Sequence, residues 1–488
     1  MNAGNSVFLS AKTSYFYDKG EPMTTSSNPS PDYFNQVAGN WDAQRAGYFR
    51  EGVRDVAIAR AYLHPKMIVA DVGAGTGFMA AGLVAQVERV HLLDGSAAML
   101  AVARQNLAPF TNLEYHVADS LALPLPDESL DAVFANMYLH HCPDPLAAIR
   151  EMSRLLRPGG RIIITDLDAH AHEWLKTEMS DVWLGFDREQ VRTWYAEAGL
   201  VNVIVDCTGE TCQSESDGSA DDPAAISIFI AVGTKRIAAH KAVQSSYAAR
   251  ALGSTSCCSD SNCCSPGVTV LDEIAEVTWD GGYSLTDKAG IPADAADFSL
   301  GCGNPLAMAS LQEGETVLDI GSGGGLDAFI AARRVGPTGQ VIGVDMTPAM
   351  LQRARRTAKK GGFDNVHFKY GHAEKLPVPD GSVDVIISNC VINLTEDKGQ
   401  VFREAFRVLR TNGRLEVNDV VFGGAILPAA RLSTAGWSEC ISGALPEQEY
   451  LDLVKQAGFT QVTVRRSTSA GVSDGVSVYS VQVSAVKE

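Results

Sequence analysis

The feature that most constrains this chain is a long-range repeat. From Ala118 to Asp166 the sequence recurs 253 residues further on without a gap, so that Asp166 is answered by Asp419. The stretch ADSLALPLPDESLDAVFANM is matched by GHAEKLPVPDGSVDVIISNC, and LLRPGGRIIITD by VLRTNGRLEVND. Upstream, MIVADVGAGTG at Met67–Gly77 is matched by TVLDIGSGGG at Thr316–Gly325, and VHLLDGS by VIGVDMT. An ungapped register over such a span points to duplication or fusion of one domain.

Within each copy, apolar runs alternate with helical spacing. In the first copy Met67–Val72, Val90–Asp94, Leu130–Asn136 and Gly160–Asp166 read as strands. Phe78–Val87 and Ala97–Asn106 read as helices between them. Strands alternating with helices imply a mostly parallel, doubly wound sheet, so the expected fold is α/β with two tandem Rossmann-like domains.

Residues 1–31 are polar and read as a disordered N-terminus, with Met23 as an alternative start. The first domain is expected over 32–233, ending in a strand at Ile226–Val232 that follows a polar surface insertion, CTGETCQSESDGSADDP. Residues 234–268 read as a linking helix and a Cys/Ser-rich loop, and 269–488 as the second domain.

A net charge of -18 without a Lys/Arg stripe argues against nucleic acid. Neither a long apolar run nor a secretory leader is present, so no membrane span is expected and the expected compartment is the cytoplasm. There the ten cysteines are expected as free thiols more often than as structural disulfides.

A glycine-rich turn joins the first strand to the first helix in each copy: Gly73, Gly75 and Gly77, then Gly321, Ser322, Gly323 and Gly325. Such a turn lets a ligand approach the main chain, and the helix behind it offers unpaired N–H groups to a carboxylate. Asp94 and Asp345 close the next strands, where a carboxylate can accept both hydroxyls of a ribose. The spacing is G-x-G-x-G rather than the dinucleotide G-x-G-x-x-G. Asp71 and Asp319, acids at otherwise apolar strand ends, call for a cationic partner such as the ammonium of S-adenosylmethionine.

On these motifs both halves resemble class I methyltransferases of the UbiE-like group. The resemblance implies that Asp71, Gly73, Gly75 and Gly77 hold the methionine part of S-adenosylmethionine in the first domain. Asp94 would hold the ribose, Asp119 and Ser120 would lie near the adenine, and Asn136 would close the site. In the second domain the implied set is Asp319, Gly321, Ser322, Gly323 and Gly325, then Asp345 with Met346, His372 with Ala373, and Asn389. Because His372 replaces an acid, its adenine contact is expected from the main chain.

Cys390 follows the fourth strand of the second copy, at the sheet edge where ligands bind in open α/β folds. Cys302 lies in a Gly-rich loop before the first strand and Cys440 after the fifth. The first copy has Met137 at the position of Cys390, and Asp181 and Asp187 but no thiol in the region of Cys440. The fold therefore does not require these cysteines. The motifs SLGCGNP, SNCVINL and ECISGAL, with Cys257–Cys258 upstream, resemble bacterial arsenite methyltransferases from about Ala239 to the C-terminus. The resemblance implies As(III) as substrate, held by Cys390, Cys440 and Cys302. Cys257 or Cys258 would take part in capture, and a thiol reductant (glutathione or thioredoxin) would serve turnover. Soft trivalent arsenic suits thiolate ligands.

Three other readings compete. Cys257, Cys258, Cys263 and Cys264 could ligate zinc, although adjacent cysteines match common zinc spacings poorly. The chain could bind metalloids on a methyltransferase scaffold without transfer. It could also be a UbiE-like methyltransferase of a small organic molecule. The acceptor of the first domain is not legible. His140 and His141 offer a base near its methyl site or are ordinary loop residues; Cys142 reads as packing, and Cys207 and Cys212 as inert surface thiols.

Overall fold

A computed structural model describes residues 30–216, 219–252, 309–432, 440–473 and 476–488, with scattered positions between 283 and 307 and at 437. It contains two sheets, in the orders β3-β2-β1-β4-β5-β7-β6 and β10-β9-β8-β11-β12-β15-β14. The first comprises β1 (Ile68–Val72), β2 (Arg89–Asp94), β3 (Leu113–Val117), β4 (Leu130–Asn136), β5 (Leu156–Leu167), β6 (Leu200–Ser216) and β7 (Ser219–Lys235). The second comprises β8 (Thr316–Ile320), β9 (Gln340–Asp345), β10 (Val366–Tyr370), β11 (Val383–Asn389), β12 (Leu409–Phe422), β14 (Thr460–Ser473) and β15 (Val476–Val486), with the short β13 (Leu445–Pro446) beside β12. In each sheet one strand, β7 or β15, pairs antiparallel with both of its neighbours, and all the others run parallel to one another. This is the doubly wound class I methyltransferase architecture, twice.

The inner strands read as unbroken apolar runs because helices cover both faces. β4 and β11 occupy matched positions, as do the helices Pro145–Leu155 and Lys398–Val408. Each of those helices starts at an Asp N-cap: Asp144 accepts from the Ala147 N–H and Asp397 from the Gln400 N–H, both at 2.9 Å. A lost cap of this kind costs about 1 kcal/mol.

Several boundaries differ from the sequence reading. The polar insertion is not an irregular loop: it forms a long antiparallel ladder with β7, pairing Thr211 with Ser227 and Cys212 with Ile226. Its Thr-Cys-Gln alternation suits a strand and turns Cys212 inward, against Phe49, Ile226 and Ile228. Cys212 is therefore a buried thiol and only Cys207 is exposed. The first covering helix stops at Leu83 rather than Val87, β5 starts at Leu156, before the Gly159–Gly160 pair, and an N-terminal helix already begins at Ser30.

The two domains are docked through buried polar contacts. Arg161 on β5 meets Glu449 at 2.5 Å, with both side chains buried. Arg60 pairs with Asp452. The Lys398 N–H donates to Asn202 Oδ1 at 2.8 Å, and Gln456 bonds both to the backbone of Val205 and to Arg192. Ile204 of the first domain packs into the core of the second.

Candidate functional site

Each sheet carries a cleft at the carboxyl ends of its parallel strands. In the first domain it measures about 1080 Å³ and is walled by Gly73, Gly75, Asp71, Asp94, Asp119, Ser120, Asn136 and Met137. In the second it measures about 970 Å³ and is walled by Gly321, Ser322, Gly323, Asp345, Met346, Ala373, Asn389 and Cys390.

The two turns are built alike. The Gly75 N–H donates to Asp94 Oδ2 at 2.8 Å, and the Gly323 N–H to Asp345 Oδ2 at 3.0 Å. The other oxygen of each acid accepts from the N–H two residues on, Ser96 or Thr347, at 2.7 Å. These carboxylates thus brace the turn while edging the cleft. Gly75 and Gly323 have positive φ, +52° and +48°, and a Cβ there would meet nothing closer than 3.8 Å. Their bareness leaves room for a ligand. Gly77 and Gly325, both at φ +92°, lie behind the wall, where a Cβ would strike Leu107 or Phe329 at 2.8 Å. Their role is packing at the helix start.

Buried charge supports a cationic occupant. Asp71 is fully buried; it accepts one N–H, from Ala80 at 3.0 Å, and burial pushes its carboxyl up to about 7. Burial and the neighbouring acids Asp327 and Asp345 hold Asp319 well above the carboxylate range. Its Oδ2 has no hydrogen-bond partner among the described residues. Asp327, which sequence reasoning missed, lines the same cleft. It accepts from the Tyr283 hydroxyl at 2.5 Å and from Asn389 Nδ2 at 3.3 Å, and burial lifts it to about 6. In sequence an acid in the first turn of a helix carries no special signal, since it simply complements the helix dipole. Buried acids without a counter-charge, one of them with an unpartnered oxygen, beside open glycines fit a cofactor that carries an ammonium and a sulfonium.

His372 does not line the cleft; its neighbours Gly371 and Ala373 do. Its ring lies 5.3 Å from that of His240 on the linking helix His240–Ala251. That helix covers the second cleft. His240 Nε2 reaches Glu374 at 2.8 Å, Gln244 donates to the Met346 carbonyl at 2.6 Å, and Val243 and Tyr247 join the lining.

Two of the predicted cysteines are neighbours, in contact through the Cys440 side chain and the Cys390 main chain. Cys390 lines the cleft, and the Cys440 thiol donates to the Cys390 carbonyl at 3.0 Å. Tyr247 bonds the Cys440 thiol from the other side, and burial pushes that thiol up to about 12. Cys390 is disulfide-bonded. Cys302, Cys257, Cys258, Cys263 and Cys264 lie outside the described residues. Cys390 and its counterpart Met137 both adopt left-handed backbone, φ +56° and +50°. For non-glycine residues such strain is characteristic of functional positions.

In the first domain this region holds histidines. His140 Nδ1 lies 2.7 Å from Asp166 and its Nε2 3.8 Å from Asp181. Burial works against its charge, but the two acids outweigh burial and raise it to about 9. His141 lines the cleft, with Nδ1 3.3 Å from the Ser180 carbonyl. Burial, then cationic His140, hold it well below its usual range. A carbonyl only accepts, so the proton sits on Nδ1 and Nε2 keeps a lone pair. Phe34 and Trp41 wall the same cleft, and Phe34 meets the His141 ring edge-on at 5.0 Å. Cys142 is buried in the core and also borders the first cleft.

Fold and cradles together define two methyltransferase domains of class I. Two different family models, each described as a methyltransferase domain, match the chain, one at residues 70–164 and the other at 311–458. More particularly, an arsenite methyltransferase of Halobacterium salinarum is 45% identical over 183 residues, 38% of this chain and 46% of that protein. The arsenite methyltransferase of Homo sapiens is 38% identical over 168 residues, 33% of this chain and 44% of that protein. The chain thus spans about half the length of these curated relatives. A solved arsenic (III) S-adenosylmethionine methyltransferase from Chlamydomonas reinhardtii is 34% identical, with 41% of this chain and 71% of that one covered and a TM-score of 0.37. No helix among the described residues is long and apolar enough to cross a membrane.

Proposed function

We propose that this chain transfers the methyl of S-adenosylmethionine to As(III) held by thiols of its second domain, giving methylated arsenicals. The observation that carries the reading is Cys390 on the wall of the second cleft, with the Cys440 side chain hydrogen-bonded to its main-chain carbonyl. Cys302 would complete a three-sulfur site, and Cys257 or Cys258 would deliver the metalloid. A thiol reductant, glutathione or thioredoxin, is required because Cys390 must first be released from its disulfide.

When bound, the cofactor supplies an electrophilic methyl on a sulfonium. Asp319 and Asp327 would answer its positive charges, and Asp345 its ribose. Trivalent arsenic on three sulfurs keeps a lone pair and carries no proton, so the second domain needs no base. The work of the chain is positional: Tyr247 and the Cys390 carbonyl fix the Cys440 thiol, and the helix His240–Ala251 covers the cleft against water.

The first domain is proposed as a separate transfer centre for a different acceptor. Asn393 and Leu394 stand in the second copy where His140 and His141 stand in the first, so the histidines are not a demand of the fold. His141 Nε2 is poised to take a proton from an O–H or N–H acceptor.

The test is incubation of the full chain with arsenite, labelled S-adenosylmethionine and a thiol reductant. Methylated arsenic is expected, and its loss in Cys390→Ser or Cys440→Ser with cofactor binding kept. Stoichiometric arsenic binding without transfer would favour the metalloid-binding scaffold. Neither binding nor transfer would favour a UbiE-like methyltransferase of a small organic molecule.

A further inference from the structure

On the outer edge of the first sheet, away from the residues that wall its cleft, three ligand-bearing side chains converge. His91 on β2 lies directly opposite Glu114 on the edge strand β3, and His116 stands two residues further along β3. Residues two apart on a strand share a face, so all three point to the same side. His91 Nδ1 lies 3.2 Å from His116 Nε2 and 3.4 Å from Glu114 Oε2. His116 Nε2 lies 3.9 Å from the same carboxylate oxygen.

These separations can be compared with what a metal requires. Zinc binds imidazole nitrogen at about 2.0–2.1 Å and carboxylate oxygen at about 2.0–2.2 Å, in a tetrahedron whose edges are therefore about 3.3–3.5 Å. Two of the three edges already lie within about 0.2 Å of that span. The third closes with a shift of about half an ångström in Glu114, the most exposed of the three, its side chain 45% exposed. We propose that His91, His116 and Glu114 form a site for a borderline divalent transition ion such as zinc(II), bridging β2 to the edge strand β3.

Three further observations support the site. Arg89 Nη1 holds the other carboxylate oxygen, Oε1, at 3.0 Å. Such second-shell contacts orient ligating carboxylates. The His91 imidazole is buried between the strands, which limits its freedom to turn away from the other two ligands. The second copy serves as a control, since Ile342, His367 and Lys369 occupy the corresponding positions of β9 and β10. The sheet closes equally well without the cluster, so it is not a requirement of the fold. In the absence of a metal, a shared proton would have to hold the three atoms together. Three protein ligands leave a fourth position for water.

Thiolates are themselves zinc ligands, so the test is a difference. The full-length protein and the variants His91→Ile and His116→Lys, which borrow the residues of the second sheet, are equilibrated with excess zinc(II) and desalted. Metal is then counted per chain. The wild type is expected to retain one equivalent more than either variant, and Glu114→Gln to bind that equivalent at least tenfold more weakly. Cobalt(II) substitution should lose a visible band in the variants without change in its thiolate absorption. Equal zinc content in the wild type and both variants, with circular dichroism unchanged, would overturn the site. Should the substitutions disturb the fold, histidine nitrogen NMR of the wild type decides: unshifted His91 and His116 resonances on adding zinc would overturn it equally.

Discussion

The Cys440 thiol donates to the Cys390 carbonyl at 3.0 Å, although fifty residues separate them. Cys390 occupies a left-handed turn at the end of β11, and Cys440 adopts left-handed backbone as well, φ +65°. Neither conformation is inexpensive for a residue with a Cβ. The protein tolerates both where Cys390 walls the cofactor cleft and Cys440 bonds its main chain. The corresponding cost in the first domain is spent at Met137, which offers no thiolate. One backbone device thus serves two different side-chain chemistries.

Thiol reactivity should follow burial. Burial raises Cys142, Cys212 and Cys440 to about 12, whereas Cys207 is exposed. Since the thiolate is the nucleophile, iodoacetamide at pH 8 should label Cys207 at least tenfold faster than those three. Peptide mass spectrometry over time checks this. Arsenite added after reduction should protect Cys440 further and leave Cys207 unprotected. Equal protection of both would argue against a site at Cys440.

Cofactor binding should be two per chain and linked to protons. Asp71 sits at about 7 in the folded chain because it is buried without a counter-charge. A bound cation would favour its ionised form, so binding at the first cleft releases a proton below about pH 7. Affinity there should rise with pH through that point and then level off. Calorimetry in buffers of different ionisation enthalpy measures the release. Asp71→Asn should remove the pH dependence and weaken the first site about 10- to 100-fold, the cost of one charge-assisted contact. Asp319→Asn should do the same only to the second site.

Much of this was legible in the sequence, for a physical reason. The repeat displays the apolar strands and the glycine turn twice, so the parallel doubly wound class, the cradles and the place of Cys390 at a strand end followed from pattern alone. The pairing of Thr211–Cys212 with Ile226–Ser227 was not legible, because the alternation around Cys212 is too short and too polar to stand out from the loop-like residues that follow it. Asp327 was missed because a helix-start acid is ordinary until its burial is known. The contact between Arg161 and Glu449 was also invisible: pattern reading places residues within a domain and is silent on which faces two domains share.

That contact carries its own consequence. Arg161 and Glu449 are both buried, with no bulk water to take over either charge. Removing one partner strands the other, at a cost of about 3–5 kcal/mol. Arg161→Ala should therefore lower the denaturation midpoint of the whole chain. The double variant Arg161→Met with Glu449→Leu should recover most of that loss, because an apolar pair of similar volume carries no desolvation penalty. A double-mutant cycle in urea distinguishes the two outcomes; additive losses would mean the pair does not act as a unit.

The first domain should show a pH signature of its own. The folded value of His140 is raised to about 9, above the ordinary 6.5. A group with a raised folded value contributes its stability fully below the unfolded value and loses it as pH rises through the folded one. The contribution of His140 should therefore be complete below about pH 6.5 and fade between 6.5 and 9. Asp181 shifts upward as well, to about 6, mainly by burial, but that change is over before the histidine window opens. His140→Asn, the residue found at the matching position of the second domain, isolates the effect. The stability gap between wild type and His140→Asn should amount to a few kcal/mol at pH 6, the scale of a buried ion pair, and shrink steadily towards pH 9. A gap that stays constant across this range would show that His140 is not held as a cation between Asp166 and Asp181. The neutral state of His141, which depends on that neighbouring positive charge, would then lose one of its two causes.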